Sequence, residues 1–221
     1  VSRPTEKNQF MSNKTLIKII FVRHGETTGD VENRYGGNYD DHLSPKGIEQ
    51  SKELAQQLKN KGIDIIYSSP LIRAKETAEI IKNEINRPIE VVRGLKERNQ
   101  YGILTGMIKT EAKEKYPREV EALQDYTSTI EKAEPYKDFS GRINETFQNI
   151  LNQTDYSVIC IVWHGSPMRV LFRDILRWGE LRSINDYAFV ELRKYKDGTW
   201  LYENSSGLTF DFKPPVWDYS K

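Results

Sequence analysis

Two apolar runs, each closed by a His-Gly pair, constrain this chain more than anything else in it. Residues 16–22 lead into Arg23-His24-Gly25-Glu26-Thr27, and residues 158–163 lead into His164-Gly165. Both runs are short, nearly continuous and rich in Ile and Val, the pattern of strands buried on both faces. Such strands belong to parallel sheets covered by helices. The polar residues that end them arrive at the carboxyl edge, where open α/β sheets bind ligands. The chain has only three histidines, so two of the three sit at matching strand ends.

The intervening sequence supports the same architecture. Residues 29–42 have loop chemistry, with Gly36-Gly37, Asn38 and Asp40-Asp41. Ser44-Pro45 predicts a capped helix that stops near Gly62, with apolar residues at helical spacing. Strands are predicted over residues 63–67 and 89–92, separated by a helix to about Asn86. Residues 94–140 break the alternation and are highly charged. They are expected to fold as helices, one of them over residues 119–130, and to act as a lid. A helix over residues 139–151 precedes the strand that ends at His164. Ser166-Pro167 predicts another capped helix, ending near Gly179. Residues 187–195 and 199–203 flank Lys196-Asp197-Gly198, the signal of an antiparallel hairpin at one sheet edge. The fold class expected is therefore three-layer α/β/α, with a mostly parallel central sheet, an antiparallel edge strand and a helical lid insertion at about residues 98–140. Residues 1–13 are expected to be a disordered or added extension, and residues 14–221 a single domain.

Composition narrows the partners. A formal net charge of +1 offers no global basic field for nucleic acid. No apolar run approaches the ~20 residues that span a bilayer, and no signal-peptide core is visible at the start. The one cysteine, Cys160, lies inside an apolar strand and reads as a small buried residue. A cytoplasmic protein without a membrane or nucleic-acid partner is expected, and a homodimer is compatible with this reading.

Arg23 and His24 can converge on one pocket if the strand ends there and Gly25 turns the backbone. Arg73, in Ser69-Pro70-Leu71-Ile72-Arg73-Ala74, follows the second strand and sits in the first turn of the next helix. With His164, these side chains form a cationic cup suited to a phosphoryl group, held by position and electrostatics. Glu97 follows the third strand and reaches the same edge, where a carboxyl group suits general acid–base work. No metal site is expected. The histidines lie at positions 24, 42 and 164 with no His-x-x-x-His, and arginines beside them would repel a cation.

These residues resemble the histidine phosphatase superfamily, which includes the cofactor-dependent phosphoglycerate mutases. The resemblance runs roughly from Ile17 to Leu192. It rests on Arg23-His24-Gly25-Glu26-Thr27, Glu32-Asn33-Arg34-Tyr35-Gly36-Gly37, Leu43-Ser44-Pro45-Lys46-Gly47, Ser69-Pro70-Leu71-Ile72-Arg73-Ala74 with Thr77-Ala78, Leu95-Lys96-Glu97-Arg98, and His164-Gly165. It implies that His24 is the nucleophile that becomes phosphohistidine. By the same resemblance, Arg23, Arg73 and His164 bind the phosphoryl group, and Glu97 protonates the leaving oxygen. The Thr27 hydroxyl, Gly37 and the Gly165 backbone would join the binding site. Asp30 departs from the pattern, because relatives carry Asn there, commonly facing the phosphate. An ionised Asp is acceptor-only. It would have to turn away, pair with an arginine, or weaken binding.

The resemblance implies a phosphomonoester hydrolase acting on a small phosphorylated metabolite without a cofactor. The alternative is a phosphoglycerate mutase primed by 2,3-bisphosphoglycerate, and a third reading is a non-catalytic phosphate-binding module. Glu97-Arg98-Asn99-Gln100-Tyr101-Gly102 is similar to the mutase signature Glu-Arg-His-Tyr-Gly, with Asn for His and one extra residue. Lys109 is also placed as in mutases. Arg98, Tyr101 and Lys109 are the substrate-side candidates. Mutases carry consecutive arginines in the lid, whereas residues 103–140 contain only Arg118, so the phosphatase is preferred.

Overall fold

A computed structural model describes residues 15–216; the extension expected over residues 1–13 lies outside them. Six strands form one sheet in the order β3-β2-β4-β1-β5-β6. They are β1 (Thr15–Arg23), β2 (Ile65–Ser68), β3 (Ile89–Val91), β4 (Val158–Trp163), β5 (Leu181–Tyr195) and β6 (Trp200–Phe210). The first four run parallel, and β5 and β6 close one side antiparallel.

The apolar runs are buried on both faces because their side chains alternate. Ile19, Phe21, Ile159, Ile161 and Trp163 point to one side, packing with Phe139, Ile143, Phe147 and Ile150. Those four lie at helical spacing on α6 (Tyr136–Gln153). Ile20, Val22, Cys160 and Val162 point to the other side. They meet Leu54 and Leu58 of α2 (Pro45–Leu58), and Ala74, Ala78 and Ile81 of α3 (Ile72–Ile85). The three layers follow from this. Phe21 stacks on Trp163 with ring centroids 5.0 Å apart, and Phe147, fully buried, tilts against Phe21. Truncating Phe147 to Ala would cost about 3–5 kcal/mol.

Several local expectations need correction. Residues 29–42 are not all loop: Thr28–Val31 form a short helix, α1. The helix expected over residues 119–130 ends early. α4 (Lys109–Lys115) and α5 (Pro117–Ala122) are short. Beyond them, Asp125 Oδ1 accepts from the Thr127 backbone N–H and hydroxyl at 2.8 and 2.7 Å. That local turn competes with helix continuation. The helix after β4 is α7 (Gly165–Val170), followed by a π-turn over Leu171–Ile175. Its N-cap is His164, not Ser166, and it has no side-chain cap. The hairpin is longer than its apolar signal, because β6 runs through the polar residues 203–206.

Candidate active site

β1 and β4 are parallel neighbours, with Arg23 opposite Trp163. The residues that follow, His24 and His164, therefore leave the sheet side by side, with ring centroids 5.1 Å apart. The chain then turns sharply at Gly25. A Cβ there would lie 2.5 Å from the Gly47 carbonyl oxygen, and one on Gly47 would lie 1.9 Å from the Glu26 carbonyl oxygen. Only glycine at both positions lets the start of α2 pack against the exit of β1.

His24 is buried. Its Nδ1 is 2.8 Å from the Gly25 carbonyl oxygen. A carbonyl only accepts, so Nδ1 carries the proton and Nε2 keeps its lone pair. Nε2 in turn accepts from Arg73 Nε at 3.1 Å. Burial, reinforced by Arg73 and Arg23, holds the pKa of His24 well below the ordinary imidazole value. The ring is therefore neutral near pH 7, with Nε2 as its nucleophilic atom.

Arg73 is buried and fully engaged. Its Nη1 donates to the Tyr39 carbonyl at 2.6 Å and pairs with Asp41 at 2.9 Å, and Nη2 donates to the Gly37 carbonyl at 2.8 Å. Asp40 accepts from the Ile72 N–H at the start of α3 at 2.7 Å. The two aspartates read as loop formers thus lock α3 and its arginine in place. Their adjacency carried no signal of that role; it becomes visible only once Arg73 is known to be buried.

Arg23 donates through Nη1 to the Ile184 carbonyl at 2.6 Å and pairs through Nη2 with Asp186 at 3.1 Å. His164 Nε2 is 2.7 Å from the Ser69 hydroxyl, a partner that sequence reasoning quoted but gave no role. Burial first, then Arg73, His24, Arg23 and Arg142, lower the pKa of His164 well below the ordinary value. Among the described residues, Arg23 Nε and His164 Nδ1 are buried polar atoms without a partner, as are Asn38 Oδ1 and Trp163 Nε1. A Cβ on Gly165 would lie 4.0 Å from Arg23 Nε. Glu97 Oε1 accepts from the Arg98 N–H at 2.7 Å, and Oε2 from the Ser166 N–H at 3.2 Å, which ties the carboxyl group to the turn after His164.

Residues 19–203 match the family model of the histidine phosphatase superfamily (branch 1). The chain belongs to that superfamily. Phosphoserine phosphatase 1 of Hydrogenobacter thermophilus is 32% identical over 176 residues, covering 73% of this chain and 77% of its own. The 2,3-bisphosphoglycerate-dependent phosphoglycerate mutase of Rhizobium etli is 32% identical over 171 residues, covering 72% and 80%. The structure of YhfR from Bacillus stearothermophilus, 23% identical, superposes with a TM-score of 0.76 over 91% of this chain and 98% of that one. As a histidine phosphatase superfamily member, the chain is a phosphoryl-transfer enzyme.

The structure places the remaining superfamily positions unequally. Asp30 turns away from the cup. It closes a capping box with Thr27, accepting from the Thr27 N–H and hydroxyl at 3.0 and 2.9 Å, while its own N–H donates to the Thr27 oxygen at 3.1 Å. That commits the Thr27 hydroxyl to Asp30. Gly37 adopts φ +59° with Tyr101 packed against it. Tyr101 also meets Tyr35 at 4.9 Å, and burial raises its pKa. Arg98 does not reach the cup. It is buried and donates to the carbonyls of Glu134 at 3.1 Å, Ser128 at 3.2 Å and Tyr126, so it binds the lid segment to the domain. Lys109 stands over the Tyr35 ring at 5.9 Å, on the exposed start of α4.

Proposed function

We propose that the protein is a metal-independent phosphomonoesterase that works through a phosphoryl-His24 intermediate on a small phosphorylated metabolite. The observation that carries this reading is the orientation of His24: its protonated Nδ1 is tied to Gly25, and its Nε2 lone pair lies beside Arg73 and the His164 ring.

In this reading Nε2 attacks phosphorus in line with the ester oxygen. Arg23 Nε and His164 Nδ1 donate to the equatorial oxygens as charge gathers there, and Arg73 Nε joins them once the Nε2 lone pair it was bonded to goes to phosphorus. These are fixed cations and donors, so no metal or cofactor is required. Glu97 gives a proton to the departing alcohol, then takes one from the water that attacks the phosphohistidine. Inorganic phosphate leaves, and Glu97 is protonated again.

The same first half would serve a mutase, and the likeness to the Rhizobium etli enzyme keeps that reading in play. The hydrolase is favoured because the lid segment carries no arginine pair for a retained bisphosphate: Arg98 is spent on backbone carbonyls, and Arg118 is exposed on α5. We place the enzyme in the cytoplasm, consistent with a lone buried thiol, Cys160, whose pKa burial pushes up to about 12.

Turnover of 4-nitrophenyl phosphate tests the proposal. Wild-type protein should release phosphate and His24→Ala should not. Quenched wild type should carry an acid-labile phosphoryl group on the peptide holding His24. No release by wild type, or equal release by His24→Ala, refutes it. Rapid 2-phosphoglycerate formation from 3-phosphoglycerate with a little 2,3-bisphosphoglycerate would replace the hydrolase by the mutase.

A further inference from the structure

Strand β5 does not run evenly past the cup. Its pairing with β6 reaches Ile184 opposite Leu208 and resumes at Phe189 opposite Ser206. Residues 185–188 therefore lie against Gly207 alone. Bulges of this kind re-aim side chains beside active sites. Both strands are adapted to it. Tyr187 takes φ +47°, a left-handed conformation that is unfavourable for a bulky residue. Gly207 takes φ +70°, and a Cβ there would lie 3.0 Å from that of Ala188.

The bulge meets two consecutive residues of the cup through three contacts. The Tyr187 N–H donates to the His24 carbonyl at 3.0 Å. The Ile184 carbonyl accepts from Arg23 Nη1 at 2.6 Å, and the Asp186 carboxylate pairs with Nη2 at 3.1 Å. One short stretch thus takes both terminal nitrogens of Arg23. Its Nε is left over, buried and without a partner among the described residues. The pairing is selective. Lys46, the other cation whose charge reaches Asp186, is bound to Glu26 at 2.8 Å. Asp30, an acid close enough to act on Asp186, is turned to Thr27. A planar guanidinium held at two nitrogens has a fixed direction for the third.

We propose that Asp186 is a positioning residue: with the β5 bulge, it holds Arg23 so that Nε points at the phosphoryl group. The inference rests on the phosphomonoesterase reading only for Arg23 Nε as a phosphoryl donor. Charge and geometry predict opposite outcomes. Removing an anion beside an anion site should by charge alone tighten phosphate, whereas removing the clamp should weaken it. Asp186→Ala should lower kcat/KM on 4-nitrophenyl phosphate about ten-fold, and Asp186→Asn, which keeps an accepting oxygen, about three-fold or less. In an Arg23→Met background the Ala substitution should cost less than about two-fold, because the residue it positions is gone. A general loss of fold would lower both backgrounds alike. A second readout needs no turnover. The Arg23 Nε–H resonance, identified by its loss in Arg23→Met, should shift when inorganic phosphate saturates the wild type and should shift much less in saturated Asp186→Ala. An equal shift in both proteins, a full Ala cost without Arg23, or a kcat/KM raised by Asp186→Ala would overturn the assignment. If the wild type turns over no 4-nitrophenyl phosphate, an Arg23 signal that answers phosphate only with Asp186 present supports the positioning role and refutes the phosphomonoesterase reading.

Discussion

At the scale of single residues, the site divides its labour between groups already satisfied and groups left waiting. Arg73 is engaged through all three of its nitrogens, so its position and field are set before a phosphoryl group arrives. Glu97 keeps both oxygens on backbone N–H groups, which fixes where its proton is delivered. That leads to a leaving-group test. Glu97→Gln should lower turnover of alkyl phosphates by about 10²–10⁴, the usual worth of a general acid, and cost far less on 4-nitrophenyl phosphate, whose leaving group needs no proton. Equal losses on both substrates would remove Glu97 from the acid role. The residues that line the cup were legible in the sequence because strand ends announce themselves: an apolar run stops at His24 and another at His164. Ser69 and Asp41 were not legible, since each acts through a neighbour distant in the chain. Asp30 was legible as an anomaly only. Its resolution as a capping box needed the φ and ψ of Thr27, which is extended as an N-cap must be.

At the scale of elements, the sheet is what the patterning implied, and the lid is not. Continuous apolar runs specify β1 and β4, and period-3.6 burial specifies α2, α3 and α6, because packing and propensity agree there. The lid has little apolar patterning to read, and its turns answer to single polar side chains such as Asp125 and Arg98. Arg98 is the clearest case: desolvation lowers its pKa, yet it stays charged and is held by carbonyl oxygens. Arg98→Met should leave those carbonyls unpaired, at about 1–3 kcal/mol each. We expect the midpoint of urea unfolding to fall, and limited proteolysis to cut first within residues 123–135. An unchanged proteolytic pattern would show that the lid is anchored by other contacts, such as Arg173 stacked 4.1 Å from the Tyr126 ring.

At the scale of the whole molecule, the buried histidines tie stability to pH. The pKa values of His24 and His164 are both depressed on folding. Between the unfolded value of 6.5 and their lowered folded values, the unfolded chain binds more protons, so folding weakens as pH falls. Each contributes a slope of at most about 1.4 kcal/mol per pH unit. His42 acts in the opposite sense. Glu76 raises its pKa, so its contribution is full at low pH and fades as pH rises through the folded value. A His42→Asn protein isolates the buried pair. Its Tm should drop between pH 7 and about 5, before the carboxylates titrate, and vanadate should offset the drop. A flat Tm across that window would contradict the depressed values.

Two unpartnered nitrogens at the sheet edge, Arg23 Nε and His164 Nδ1, are also indifferent to whether a phosphoryl group arrives on an ester or leaves as a free ion. A cup built to welcome the substrate's phosphate is slow to surrender the product. Inorganic phosphate should therefore inhibit competitively, and progress curves should bend early as it accumulates. The enzyme would then be throttled by the phosphate level around it, a feedback that requires no second site and no further protein. Progress curves that stay straight with millimolar phosphate added would show that the cup releases the ion as readily as it takes the ester.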